Sequence, residues 1–174
     1  KQYKDSETQM IPEINELIEW LPKNIPSDQE TTIVHGDFRL DNMIFDPITH
    51  EVKAILDWEL STLGNPIADF TYHMMSWRLP AGAKGLGMMG SDLKSLNIPS
   101  ENEYAELYYK KTGREKIDNW DFYMAYNIFR LAGIAQGIVG RVRDGTASSS
   151  EAKNYEAFVP ILGKLGWSIV EGIK

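Results

Sequence analysis

The sequence predicts an α+β fold that is mainly α, with one β-hairpin set among helices. Three observations predict it. Apolar residues recur at helical spacing over most of the chain. Two short apolar runs flank a turn-like stretch, Asp46-Pro47-Ile48-Thr49-His50. Helix-starting and helix-stopping residues punctuate the chain from Asn65 onward.

Taken in order, residues 8–21 read as a helix, because Ile11, Ile14, Leu17, Ile18 and Leu21 share one face and Pro12 suits a first turn. A polar, proline-bearing connection follows at 22–30. Thr31-Thr32-Ile33-Val34 is β-prone and leads into His35-Gly36-Asp37; residues 43–45 and 52–56 are the hairpin strands. Asn65 then caps a helix with Pro66 in its first position, expected to run to about Trp77. Residues 79–100 carry Pro80, Gly82, Gly85, Gly87, Gly90 and Pro99, and read as a long irregular loop. Helices are expected at 101–111, closed by Gly113, and at 118–144, closed by Gly145. A last one starts at Ser148, with Ser148 and Glu151 as a capping box and Pro160 as an interruption.

The composition narrows the function. With 174 residues, 43% hydrophobic and 25% charged, the chain has the balance of an ordinary globular domain. It starts at Lys1 rather than Met, so sequence upstream is expected. No apolar run approaches the ~18–20 residues of a membrane span, and the start does not resemble a signal peptide. Membrane insertion is therefore not expected, and a cytoplasmic location is the default. The absence of cysteine excludes disulfides, thiolate metal sites and a cysteine nucleophile. Basic residues number 18 against 25 acids, a net charge of −7 that repels a phosphate backbone; nucleic acid is not an expected partner. The Trp and Tyr residues are spread along the chain and read as core and cleft lining.

The chemistry lies in Val34-His35-Gly36-Asp37-Phe38-Arg39-Leu40-Asp41-Asn42, followed by Ile55-Leu56-Asp57-Trp58-Glu59. Phosphoryl transfer passes through a loose, highly charged transition state and depends on positioning and metal-borne charge. It needs a carboxylate to orient the attacking hydroxyl and accept its proton. It also needs oxygen ligands for magnesium, which prefers one or two carboxylates plus phosphate oxygens and water. Asp37, Asn42 and Asp57 supply that set. Asn42 opens the first hairpin strand and Asp57 follows the second, so antiparallel pairing brings them side by side, ~5 Å apart across the ladder. Asp37, in the loop before, is close enough to face the same point.

His35-x-Asp37-x4-Asn42, with Asp57-Trp58 after a hairpin, resembles the catalytic and metal-binding segments of the aminoglycoside-phosphotransferase and choline-kinase group. That group shares the protein-kinase fold, whose pattern is H-R-D-x4-N followed by D-F-G. Residues 36–42, the run Leu56-Asp57-Trp58-Glu59-Leu60-Ser61-Thr62, and Phe129-Arg130-Leu131-Ala132-Gly133-Ile134 with Gln136-Gly137 resemble one branch. That branch is the phosphotransferase domain related to acyl-CoA dehydrogenase proteins, and the likeness extends from Gln9 to the last helix. The resemblance implies that residues 1–174 are the C-terminal, larger lobe of a kinase-like phosphotransferase, with a catalytic segment at 33–60 and a helical acceptor side at 66–174. It implies ATP and Mg2+ as cofactors, Asp37 as catalytic base, and Asn42 and Asp57 as metal ligands. Arg39 would neutralise charge on the transferred phosphate, or be a surface or ion-paired arginine. His35 would buttress the loop and Asp69 would hold its backbone. Many relatives carry Gly-Asp-Pro where this chain has Gly64-Asn65-Pro66, a change of little expected consequence because Asn also caps helices well.

Two further patterns need weighing. Gly85-Leu86-Gly87-Met88-Met89-Gly90 spells G-x-G-x-x-G, yet it follows no strand, opens no helix, and lies after the catalytic loop rather than before it. It reads as a loop near the acceptor. Tyr123, Tyr126, Asn127 and Arg130 fall at i, i+3, i+4, i+7. They either line the acceptor pocket or belong to the core, with Arg130 in an internal ion pair.

The glycine loop over ATP and its lysine strand are missing from this stretch; neither Lys4 nor Lys23 has a suitable strand around it. The expected function is ATP- and Mg-dependent transfer of phosphate to a hydroxyl of a small metabolite, such as a hydroxy acid or hydroxyacyl-CoA, with this stretch inactive by itself. Its uncovered inter-lobe face favours self-association, and a functional link to acyl-CoA dehydrogenase is implied. The alternatives are a non-catalytic kinase-like binding or regulatory module, and a magnesium-dependent hydrolase on another scaffold.

Overall fold

The computed structural model describes residues 2–27, 30–82, 87–116, 118–147 and 150–173. In chain order the elements are α1 (Gln2–Ser6), α2 (Pro12–Trp20), β1 (Thr32–Val34), β2 (Met43–Phe45), β3 (Val52–Ile55), β4 (Thr62–Gly64), α3 (Pro66–Met74), α4 (Glu101–Thr112), α5 (Trp120–Arg143) and α6 (Phe158–Ile173). The chain divides into two compact units, residues 1–27 with 121–174, and residues 28–120. It is mainly helical, with two small two-stranded sheets. Among the described residues no helix is long and apolar enough to cross a membrane.

The first unit packs α2 on α6. Ile14 and Leu17 of α2 are fully buried. Opposite them α6 places glycines: a Cβ on Gly163 would lie 3.0 Å from the Ile14 Cγ1, and one on Gly166 2.9 Å from the Leu17 Cδ1. Removing those side chains lets the helices close, and burying each aliphatic side chain contributes ~1.5–3 kcal/mol. The α2 helix starts at Pro12 rather than residue 8, since proline is suited to a first turn; the separate α1 was not foreseen. Gln136 of α5 is buried, and its Nε2 donates to the Ser6 carbonyl at 2.6 Å and the Thr8 Oγ1 at 3.2 Å, tying down the segment after α1.

Two expectations about the last helix change. Pro160 does not interrupt it but lies in its first turn, where backbone N–H groups have no intrahelical partner and proline costs little. A 3-10 turn, Ser150–Tyr155, precedes it. The capping box assigned to Ser148 lies outside the described residues.

In the second unit β2 and β3 pair as expected, Met43 opposite Ile55 and Ile44 opposite Ala54, with an irregularity between Ile44 and Phe45. Asp46 shapes the turn: its Oδ1 accepts from the Ile48 and Thr49 N–H groups at 2.9 and 2.8 Å. These bonds, Thr49's first, hold its carboxyl below the usual range. β4 was missed. It runs antiparallel to β1, Thr32 opposite Gly64 and Val34 opposite Thr62. Asn65 caps α3 as read, its Oδ1 accepting from Ile67 N at 2.8 Å and Ala68 N at 3.3 Å; a 3-10 turn, Met75–Trp77, continues from α3. A capping box of Ser100 and Glu103 starts α4, and left-handed Gly113, φ 70°, ends it.

Candidate active site

β1 delivers the chain into His35, and the β2–β3 hairpin returns it to Leu56. The ladder extends one step beyond the strands, because the Leu56 N–H donates to the Asn42 carbonyl at 2.8 Å. Asn42 therefore faces Leu56 across the hairpin, with Asp57 one residue on. Within the loop, Asn42 Nδ2 donates to the Asp37 Oδ2 at 3.0 Å and to the Asp37 carbonyl at 2.9 Å. The amide nitrogen is thus spent on Asp37, which leaves the side-chain carbonyl oxygen of Asn42 for another partner.

His35 is buried and joins the two segments. The Leu56 carbonyl, 2.8 Å away, can only accept, so His35 Nε2 carries the proton. Nδ1 then accepts from the Asp37 N–H at 3.2 Å. The Trp58 ring lies 4.7 Å from the imidazole, and its Nε1 donates to the Ile55 carbonyl at 2.8 Å. Trp58 is 48% exposed, so it is not the core tryptophan that its type suggested.

Asp69 of α3 accepts the His35 N–H at 2.7 Å and the Gly36 N–H at 2.9 Å, one through each carboxylate oxygen. Gly36 has φ 83°, and a Cβ there would lie 2.5 Å from the Leu60 carbonyl oxygen. Only glycine lets the loop pass so close.

Asp57 is exposed and adopts the left-handed conformation, φ 65° and ψ 52°. For a residue other than glycine this costs roughly 1 kcal/mol, the kind of local strain found at functional sites. Arg39 pairs with Asp41. Partial burial acts to lower the Arg39 pKa, but Asp41, then Asp37 and Tyr72, outweigh it and hold it above its ordinary value.

The oxygen donors suit a small hard cation. The Asn42 side-chain oxygen, Oδ1, is left over by the bonding to Asp37, and among the described residues no hydrogen bond or ion pair engages the Asp57 carboxylate. Two such protein ligands match magnesium, which takes the rest of its shell from phosphate and water.

Tyr123, Asn127 and Arg130 are on α5, in the first unit; the first two are buried and Arg130 half-buried, while Tyr126 is exposed. In the glycine-rich stretch, Gly85 and Leu86 lie outside the described residues. The N–H groups of Met88 and Met89 are taken by the Ser76 and Leu79 carbonyls at 2.8 and 2.9 Å, so they are not free to cradle a phosphate.

A family model for the phosphotransferase enzyme family matches residues 1–107. The chain belongs to this family. It is 47% identical to a crystal structure from Ralstonia eutropha assigned as an aminoglycoside phosphotransferase, superposing with a TM-score of 0.93 over 98% of this chain and 52% of that one. The fold is therefore kinase-like, as the motifs implied. Among curated relatives, acyl-CoA dehydrogenase family member 10 of Mus musculus is 46% identical over 96% of this chain and 16% of its own length. Acyl-CoA dehydrogenase family member 11 of Homo sapiens is 39% identical over 95% of this chain and 21% of its own length. The branch read from the sequence is the one these relatives occupy. The chain spans about half of the matched crystal structure and about a fifth of these relatives.

Proposed function

We propose that the chain is the metal- and acceptor-binding lobe of an ATP- and magnesium-dependent phosphotransferase that acts on a hydroxyl of a small metabolite. The bonding of Asn42 to Asp37, beside the turn that carries Asp57, is the observation that carries this reading. Asp37 accepts the proton of the acceptor hydroxyl as its oxygen forms a bond to the γ-phosphorus and the bond to ADP breaks. Asn42 holds one carboxylate oxygen of Asp37, which leaves the other for the hydroxyl. His35 and Asp69 fix the loop so that this orientation exists before substrate arrives, and preorganisation of this kind supplies much of catalysis. Asp57 and the Asn42 side-chain oxygen would hold magnesium, which when bound with ATP would neutralise charge on the phosphate oxygens. Arg39 adds positive charge two residues from Asp37 and, freed from Asp41, would meet the transferred group.

The names of the relatives favour a hydroxy acid or a hydroxyacyl thioester as acceptor. The exposed apolar side chains of Leu40, Ile44, Leu56 and Leu60 suit a cover by further chain, as expected if these residues are one lobe of two. The test is ADP release by the full-length protein over a panel of hydroxy acids, hydroxyacyl-CoA thioesters and aminoglycosides. Turnover with one class identifies the acceptor; no ADP release with any, in a protein that binds ATP, favours a non-catalytic module.

A further inference from the structure

Asp69 and His73 stand four residues apart on α3, about one turn, and so share a face of that helix. Both reach the loop that carries Asp37, and they grip it on either side of that residue. Asp69 takes the N–H groups of His35 and Gly36. The His73 ring meets the Phe38 ring edge-on, with centroids 5.8 Å apart and planes at 69°.

His73 is itself held from behind. Trp77 lies 5.9 Å from its ring and Tyr104 of α4 5.6 Å, and only 8% of the residue is exposed. Among the described residues no hydrogen bond is made by its side chain. The imidazole serves as a flat plate between the loop and α4, and burial lowers its pKa.

We propose that His73 is a positioning residue: with Asp69 it braces the loop on both sides of Asp37, so that one rigid helix sets where the base stands. The proposal rests on the phosphotransferase reading for the role of Asp37, but the brace itself rests only on the packing. A displacement of the base by ~1 Å is enough to cost on the order of 10²-fold in rate.

The experiment uses the full-length protein with magnesium ATP and the panel acceptor that releases most ADP. His73→Ala lowers kcat by roughly 10–100-fold and leaves the KM for ATP unchanged, as expected for misplacement rather than lost binding. His73→Phe, which keeps a flat ring, recovers most of the rate. Phe38→Ala reproduces the loss from the loop side, and His73→Ala adds little to it. Amide hydrogen exchange over residues 35–42 rises in His73→Ala and not in His73→Phe, a reading independent of turnover. Unchanged kcat or unchanged exchange in a folded His73→Ala protein overturns the proposal, as do losses that multiply with those of Phe38→Ala. Should His73→Ala fail to fold, Phe38→Ala decides, and full kcat there overturns it. If Asp37→Asn keeps the rate, the base assignment fails instead, and hydrogen exchange still judges the brace.

Discussion

The side-chain amide of Asn42 donates to the Asp37 carboxylate at 3.0 Å, so the candidate metal ligand also orients the candidate base. Asn42→Asp keeps an oxygen ligand but replaces the donor with a second carboxylate. Two carboxylates that close raise the pKa of one of them. The variant should lose roughly 10–100-fold in kcat at neutral pH, with the acidic limb of its pH–rate profile moved upward. A profile that matches the wild type would separate Asn42 from Asp37.

Gly36 and Asp69 make the loop rigid by different means. Gly36→Ala combines a positive φ with a Cβ 2.5 Å from the Leu60 oxygen, and should cost ~2–4 kcal/mol in denaturant unfolding. Asp69→Ala strands two backbone N–H groups and should cost about 3 kcal/mol. Wild-type stability in either variant would mean that the loop is not held as described.

His73 gives stability a pH dependence. Its folded pKa lies below the ordinary 6.5 because of burial, so the unfolded chain binds the proton more readily. The stability it confers is complete above about pH 6.5 and falls as pH drops from there towards the folded pKa. The rings that face it, Phe38, Trp77 and Tyr104, do not titrate in that window, and burial raises the Tyr104 pKa further. Between pH 7 and 5.5 the Tm of the wild type should therefore fall more than that of His73→Phe; equal falls would contradict this.

Asp57→Ala removes the charged member of the proposed ligand pair together with the side chain that accepts the left-handed turn. Turnover should fall below detection, and dependence on magnesium concentration should disappear from whatever rate remains. Normal rates with ordinary magnesium dependence would rule out the pair.

Much of this was legible because it is local. The hairpin, the Asn65-Pro66 start of α3 and the stop at Gly113 each depend on a few adjacent residues, and the bonding of Asn42 to Asp37 needs only the short loop between them. β4 was missed because its three residues have little strand character of their own and pair with a strand some thirty residues earlier. His73 stayed silent for the same reason: its ring partners Phe38 and Tyr104, far from it in sequence, give it a role. Pro160 misled because a proline signals a break only inside a helix, and its position relative to the helix start was not visible. The Ser100–Glu103 capping box is readable from its spacing alone.

The most direct test of the central claim is ADP release by full-length protein carrying Asp37→Asn, beside the wild type, with magnesium ATP and the acceptor found in the panel. The account predicts a kcat lower by ~10²–10⁴-fold, with folding and ATP affinity little changed. A folded Asp37→Asn protein that keeps more than about half of the wild-type rate would contradict it, since base removal should cost far more.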